Sequence, residues 1–313
     1  MRVWFLKETK SICPSCATGC NLVVGSREDR VYRYEPRQND SVNSTWMCDY
    51  GRLNYKWIHR ADRLTQLQTR SAQTGGWSAA LAGLAETLRR AAPGSVAMVA
   101  SARQSNEELY LLSRIAKVLG AVTDSIPRFG EGDRLLLNAD RNPNSAGAQL
   151  TGISAAPMGS NLAKMAAGIE AGKITTLLVV GEDVTKHGLR AEWLRQLQTL
   201  VVADILPNAT TAAAHYLLPG CAHVEKRGTF TNVKGRVQKF TKAVEPPGDA
   251  RPEWEFLLEL LAHLSGQQPM ATIEGVFNQM ARDLPALSGV TWAALGDSGV
   301  TVPVSAACIG SFT

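Results

Sequence analysis

The chain has few of the features that place a protein in a membrane or on nucleic acid. Its longest apolar runs, such as Leu177 to Val180 and Leu135 to Leu137, are a few residues long, whereas a spanning helix needs roughly 20. The first residues, Met1-Arg2-Val3-Trp4-Phe5-Leu6-Lys7-Glu8, contain an acidic side chain and no extended apolar core, so they read as neither a secretory signal nor a twin-arginine leader. No block of five like charges occurs and the net charge is only +5, which leaves nucleic-acid binding without a footprint. The G-x-S-x-G, Walker and HExxH patterns are missing as well, so hydrolysis and phosphoryl transfer lack their usual residues. These absences imply a cytoplasmic chain with no direct membrane insertion. A peripheral position on a membrane complex needs no anchor in the chain itself.

The 313 residues suffice for one large or two modest domains. With 45% hydrophobic and 19% charged residues, the composition is that of a folded protein rather than a disordered one. Four of the six cysteines lie in the first 48 residues, spaced C-x2-C-x3-C-x27-C. In a reducing compartment such clustering points to metal ligation rather than disulfides. Cys13, Cys16 and Cys20 share one tight loop, which Pro14 stiffens and Gly19 allows to turn. Cys48 arrives from a distant segment. A cubane iron–sulfur cluster needs four thiolates at four corners, and a loop of three plus one outlier supplies them. Structural zinc is the alternative; it usually pairs two short C-x2-4-C knuckles, which this three-plus-one split fits less well. Arg27, Arg30, Arg33, Arg37, Arg52 and Lys56 are candidates to offset the negative charge of a cluster, or else form a solvated basic surface.

The other candidates are weaker. Cys221 lies two residues before His223, but no further ligands are near, so the pair reads as a loop cysteine beside a solvent-facing histidine. Cys308 reads as a free thiol in an uninformative tail. His59 reads as a surface or packing histidine, with a hydrogen bond near the cluster as the alternative. Gly130-x-Gly132 lacks the strand before and helix after that a dinucleotide loop requires, so it reads as a surface turn.

The predicted fold class is α/β. Residues 1–58 read as a small β-rich cluster module with a hairpin of strands near 21–25 and 30–34, joined by a turn at Ser26 to Asp29. Residues 59–270 read as a mostly parallel sheet domain with helices on both faces, because strands near 96–100, 175–180 and 200–204 alternate with helical periodicity. Ser105-Asn106-Glu107-Glu108 is a capping box, and Gly120 suits the far end of that helix. Ligands on such sheets bind beyond the carboxyl ends of strands, which singles out the loops Ser101 to Ser105 and Gly181 to Asp183. Gly228 to Gln238 reads as a hairpin turning at Gly235, and Pro252 opens a helix at its first position. Residues 271–313 read as a last helix, Ile273 to Leu284, and a tail.

The stretches SICPSCATGCN, WMCDYGR, SARQSNEELYLL, DRNPNSAGA, LVVGED, LPGCAHVEKRGTFTNVKGRVQ and PPGDARPEW resemble the molybdopterin oxidoreductases. More closely, they are similar to the C-terminal part of the large, G-type iron–sulfur subunit of bacterial NADH:quinone oxidoreductase, respiratory complex I. The resemblance implies one 4Fe–4S cluster on Cys13, Cys16, Cys20 and Cys48 and a shortened pterin-type domain acting as scaffold. It implies partner subunits of a complex I-like assembly, including a chain that supplies ferredoxin-type clusters missing here. It also implies a location on the inner face of the plasma membrane, held there by partners. In molybdenum-active relatives a lysine usually follows the fourth cysteine by two residues, where this chain has Tyr50. No cysteine occupies the region 121–145, where such relatives often carry a metal ligand, and no motif supports Ser125 or Ser145 in that role. The expectation is therefore no molybdenum, no pterin and no catalysis by this chain alone. The alternatives are a catalytic, formate dehydrogenase-like molybdopterin enzyme and a zinc-bearing interaction module.

Overall fold

The computed structural model describes residues 3–70, 75–133, 135–267, 270 and 272–304. The N-terminal module is a three-stranded antiparallel sheet of β1 (Lys7–Ile12), β2 (Asn21–Arg27) and β3 (Arg30–Pro36), in that order. The expected hairpin is β2–β3. Its turn is tighter than the sequence suggests, because Glu28 and Asp29 both take positive φ and close it in two residues. Strand β1 was not expected. Its sequence, Lys-Glu-Thr-Lys-Ser-Ile, shows little apolar alternation because it is an edge strand pairing only with β2. The five-residue helix α1 (Asp49–Leu53) follows, with Cys48 as its N-cap.

The larger domain begins with α2 (Gly76–Arg89), β4 (Val96–Ala100), α3 (Asn106–Leu119) and β5 (Val122–Asp124). After a long loop come α4 (Ser145–Leu150), α5 (Leu162–Glu170), β6 (Thr176–Val180), α6 (Ala191–Gln196), β7 (Thr199–Asp204) and β8 (Tyr216–Pro219). Strands β5-β4-β6-β7-β8 form one parallel sheet. Its side chains alternate between two cores, as the two-residue period of a strand requires. Val96, Met98 and Ala100 face α2 and α3 with Leu178, Val180, Val201 and Ala203. Ala97 and Val99 face α5 and α6 with Leu177, Val179, Leu200 and Val202. A sheet buried on both faces has continuous apolar strands, and the sequences of β4 and β6 are of that kind.

Helix α3 starts on the expected capping box: the Ser105 hydroxyl accepts from the Glu108 N–H at 3.2 Å, and the Glu108 carboxylate accepts from the Ser105 N–H at 2.8 Å. It ends at Gly120, whose φ of 61° is the left-handed cap a glycine favours. The expected second hairpin is β9 (Gly228–Thr231) and β10 (Arg236–Phe240), with Gly235 at φ 75° in the turn. Helix α7 (Glu253–Ser265) begins one residue after Pro252, which caps the helix in an extended conformation instead of lying inside its first turn. Helix α8 (Ile273–Asp283) and β11 (Val300–Thr301) complete the described fold. Trp77 of α2 stacks on Phe256 of α7 with ring centroids 5.1 Å apart, and Phe277 and Met280 of α8 join the same core. Each such buried side chain contributes about 1.5–3 kcal/mol.

Because β4 pairs with β5 on one side and β6 on the other, the chain reverses direction across the sheet there. The crevice such a reversal opens lies beyond the carboxyl ends of β4 and β6. Gly181, the residue just past the end of β6, lines a cleft that Pro14, Tyr50 and Trp57 of the N-terminal module also line.

Candidate metal centre

The loop from Cys13 to Cys20 leaves β1 and re-enters at β2, with the Cys13 N–H donating to the Cys20 carbonyl at 2.8 Å. Residues from far along the chain strap it down. The Asn232 side-chain amide donates to the Thr18 carbonyl at 3.0 Å, and the Gln238 amide donates to the Gly19 carbonyl at 3.0 Å. The Val233 N–H reaches the Ala17 carbonyl at 2.8 Å, and the Ala17 N–H reaches the Asp140 carbonyl at 2.9 Å. Gly19 is required for this packing: its φ is 66°, and a Cβ there would meet Gln238 Nε2 at 2.9 Å. The hairpin β9–β10 and the loop before α4 thus hold the thiols in register.

The structure brings together the four cysteines predicted from sequence. Cys13, Cys16 and Cys20 are each 3% exposed, while Cys48 is only half-buried at the start of α1. Gly51 separates two of them: a Cβ at that position would lie 2.8 Å from Cys13 Sγ and 3.6 Å from Cys48 Sγ. The Gly51 N–H donates to Cys48 Sγ at 3.4 Å. Burial pushes the Cys13 thiol up to about 12, and the charges of Cys16 and Cys48 push it further in that direction. Burial also raises Cys20, with Cys13, Cys16 and Cys48 all adding to the rise. Cys48 is raised by burial, then by Cys16 and Asp133, against a lowering hydrogen bond from Gly51. Buried thiols so disposed stay protonated until a cation arrives, and loading the site releases their protons.

Donor type, burial and the space beside Gly51 fit an iron–sulfur cluster. Among the described residues, no three His, Cys, Asp or Glu side chains converge at the spacing of a single metal ion. Two of the basic residues near the module in sequence turn instead to carboxylates: Arg27 pairs with Glu28, and Arg33 with Glu8 and Glu35. His59 Nε2 accepts from the Val31 N–H at 2.8 Å and fixes the start of β3.

The region around Cys221 differs from its sequence reading. His223 is buried, not solvent-facing, with Nε2 3.3 Å from the Tyr34 hydroxyl. Burial and the nearby Lys226 charge lower His223 to about 3, so the ring is neutral. Cys221 is 1% exposed and its thiol is raised by burial and by Glu253. Lys226 is buried against Glu108 at 2.8 Å and Glu253 at 2.7 Å, and Arg63 makes a buried pair with Glu225 at 2.9 Å. Tyr34 packs in one apolar cluster with Cys13 and Cys20, so these buried polar groups begin directly behind the thiols. Cys308 lies outside the described residues.

A cleft of about 300 Å3 opens between the thiol loop and the carboxyl edge of the sheet. Pro14, Tyr50 and Trp57 line it from the module, and Arg103, Gly181 and Asp204 line it from the sheet. The two loops beyond β4 and β6 named from sequence both reach it. Burial raises Asp204 to about 6, and burial with the Arg128 charge lowers Arg103. The sequence reading missed Gly51, Asn232 and Gln238. Gly51, three residues after Cys48, was legible as a glycine beside a ligand; the hairpin amides were not, because their partners are more than 200 residues away.

Residues 6–60 match the molybdopterin oxidoreductase Fe4S4 domain, and residues 136–263 match the molybdopterin oxidoreductase domain. The chain belongs to the molybdopterin oxidoreductase family and carries its Fe4S4 domain. It is 34% identical over 151 residues to the NADPH-Fe(3+) oxidoreductase subunit alpha of Geobacter sulfurreducens, covering 47% of this chain and 17% of that one. It is 39% identical over 113 residues to the F420-dependent formate dehydrogenase 1 subunit alpha of Methanococcus maripaludis, covering 35% of this chain and 17% of that one. It is 36% identical over 114 residues to the G-type subunit of the NADH-quinone oxidoreductase of Pseudomonas putida, covering 36% of this chain and 12% of that one. The chain thus spans a fifth or less of the length of these relatives. Among solved structures, acetylene hydratase from Pelobacter acetylenicus shares the fold with a TM-score of 0.64 at 11% identity, over 91% of this chain and 73% of that one.

Proposed function

We propose that Cys13, Cys16, Cys20 and Cys48 hold one 4Fe–4S cluster and that the chain serves as an iron–sulfur subunit of a complex I-like NADH:quinone oxidoreductase. Bound there, the cluster would supply one-electron transfer or brace the module. On this reading residues 1–58 form the cluster module, 59–270 a pterin-type domain retained as scaffold, and 271–313 a closing helix and tail. The electron donor and acceptor sit on partner subunits, which hold the chain on the inner face of the plasma membrane. Among the described residues no helix is long and apolar enough to cross a membrane, in keeping with attachment through partners.

The observation that carries the reading is the position two residues after the fourth cysteine. Where molybdenum-active relatives usually have a lysine, Tyr50 lines the cleft, and the Arg141 guanidinium lies 4.8 Å from its ring centroid. A neutral ring fills the place of a charge expected between cluster and pterin. Ser125, weighed as a metal ligand, is fully buried, and neither it nor Ser145 lines the cleft. The zinc reading is disfavoured because four-cysteine zinc sites usually pair two short C-x2-4-C knuckles, whereas these cysteines divide three and one along the chain.

One observation favours a second reading, a catalytic molybdopterin enzyme: the cleft lies at the reversal point of the sheet, where such folds bind ligands, and 300 Å3 is within the range of small-molecule pockets. The two separate on one preparation. Anaerobically purified assembly is assayed for molybdenum and for released pterin, and its cluster is followed by electron paramagnetic resonance after NADH addition. The subunit reading expects neither molybdenum nor pterin and a signal that NADH elicits only with partner subunits present. Stoichiometric pterin would replace it with the catalytic reading.

A further inference from the structure

A second cleft, of about 370 Å3, lies between the edge strand β1 and the end of β10, and its lining is separate from the thiols and from the cleft beside Tyr50. The Thr241 hydroxyl donates to the Lys10 carbonyl and ties the two strands together at 2.7 Å. Five cations line it: Lys7, Lys10, Arg37, Lys239 and Lys242. Two carboxylates answer them, Glu8 and Asp297, and Glu245 adds a third by pairing with Lys242. Two positive charges are left over.

Two buried polar atoms here have no partner. Thr9 lines the cleft and is only 9% exposed, and its hydroxyl makes no hydrogen bond. Arg37 donates one N–H to Asn21 Oδ1 at 2.5 Å, but its Nε is buried with no acceptor. An unsatisfied buried donor costs about 1–3 kcal/mol, so such atoms call for an explanation. Both can donate to the same kind of group, an oxygen-rich anion. The cleft already holds one such group: Asp297 pairs with Lys10, and the charges of Arg37 and Lys239 also keep its carboxyl ionised. Lys10, Arg37 and Lys239 thus act together on the one carboxylate of Asp297.

We propose that this cleft binds the dianionic phosphate group of a small soluble molecule, held by Lys7, Lys239 and Arg37 and by a hydrogen bond from the Thr9 hydroxyl. The leftover charge matches a dianion, and phosphate oxygens accept from several donors at once. A concave site with a buried hydroxyl suits a free ligand. A flat membrane surface would meet the protruding lysines without reaching Thr9.

The test is calorimetric titration of the full chain with inorganic phosphate and with pyrophosphate at constant ionic strength, using chloride as control. One-to-one binding tighter than chloride is expected. The double variant Lys7→Gln/Lys239→Gln should weaken it about tenfold or more, and Thr9→Val about tenfold, in line with the loss of charge-assisted hydrogen bonds. Asp297→Asn removes the competing carboxylate and should tighten binding, a gain that a misfolded variant cannot imitate. Phosphate binding no tighter than chloride, or affinity unchanged in all three variants, overturns the proposal. So does binding to phosphatidylglycerol vesicles that Thr9→Val leaves intact, if free phosphate does not bind.

Discussion

Arg141 and Tyr50 form a cation–ring pair, with the guanidinium 4.8 Å from the ring centroid, at the lip of the cleft beside the thiols. The pair joins the loop before α4 to the helix that Cys48 caps. Exposed pairs of this type contribute about 0.5–1 kcal/mol. Tyr50→Lys replaces the attraction with like-charge repulsion against Arg141 and is expected to cost about 1 kcal/mol in urea unfolding. It is not expected to bring molybdenum or pterin into the purified protein. Pterin recovered with that variant alone would mean that the identity of residue 50 is what decides pterin binding.

Gly51 leaves the space between Cys13 and Cys48. Gly51→Ala would put a methyl group 2.8 Å from Cys13 Sγ. The variant should fold, since the added carbon meets side chains and not backbone, but should retain less than half the wild-type iron after anaerobic desalting. Cys221→Ser is the control: it removes a buried thiol outside the proposed ligand set and should leave iron per chain unchanged. Equal iron in wild type and Gly51→Ala would show that the space is not used.

Lys226 pairs with two buried carboxylates at once, Glu108 and Glu253. Removing one partner of a buried ion pair typically costs about 3–5 kcal/mol, because the remaining charge is left without compensation. Lys226→Met should lose stability of that order at neutral pH, and adding Glu108→Gln and Glu253→Gln should restore much of it. Burial raises Glu253 to about 7, so the single variant should recover part of its loss as the pH falls and that carboxyl takes up a proton.

His223 contributes acid sensitivity. Its folded value of about 3 lies below the ordinary 6.5, so the folded state prefers the neutral ring. That preference stabilises the fold fully above pH 6.5 and is lost as the pH falls from 6.5 towards 3, at a limiting slope of about 1.4 kcal/mol per unit. Glu107 and Glu253, both raised from 4.5 to about 7, act in the opposite direction over much of the same window. The difference between wild type and His223→Gln isolates the histidine. The advantage of wild type over the variant in urea unfolding should shrink between pH 7 and pH 4.5. A constant difference would mean that folding leaves the protonation of His223 unchanged.

The sequence reading succeeded where structure is local. The Ser105–Glu108 cap and the turn at Gly235 involve neighbours along the chain, and each was readable. So were β4, β6 and β7, because double burial leaves runs such as Thr-Leu-Leu-Val-Val with little polar interruption. What it missed depends on distant partners or on short length. Strand β1 is polar because it lies at an edge, and β5 has only three residues. His223 looked solvent-facing by type, and its burial follows from Tyr34, 189 residues away, which offers its hydroxyl. The straps from Asn232 and Gln238 onto the thiol loop are of the same kind, since no periodicity records a contact over 200 residues.

The most direct test of the central claim is iron, acid-labile sulfide and zinc per chain, measured on protein purified without oxygen. The account predicts about four iron and four sulfide, the cubane stoichiometry, with zinc well below one equivalent, and loss of both iron and sulfide when Cys13, Cys16 or Cys20 is changed to serine. One equivalent of zinc without sulfide would contradict it and leave the four thiols as a structural zinc site.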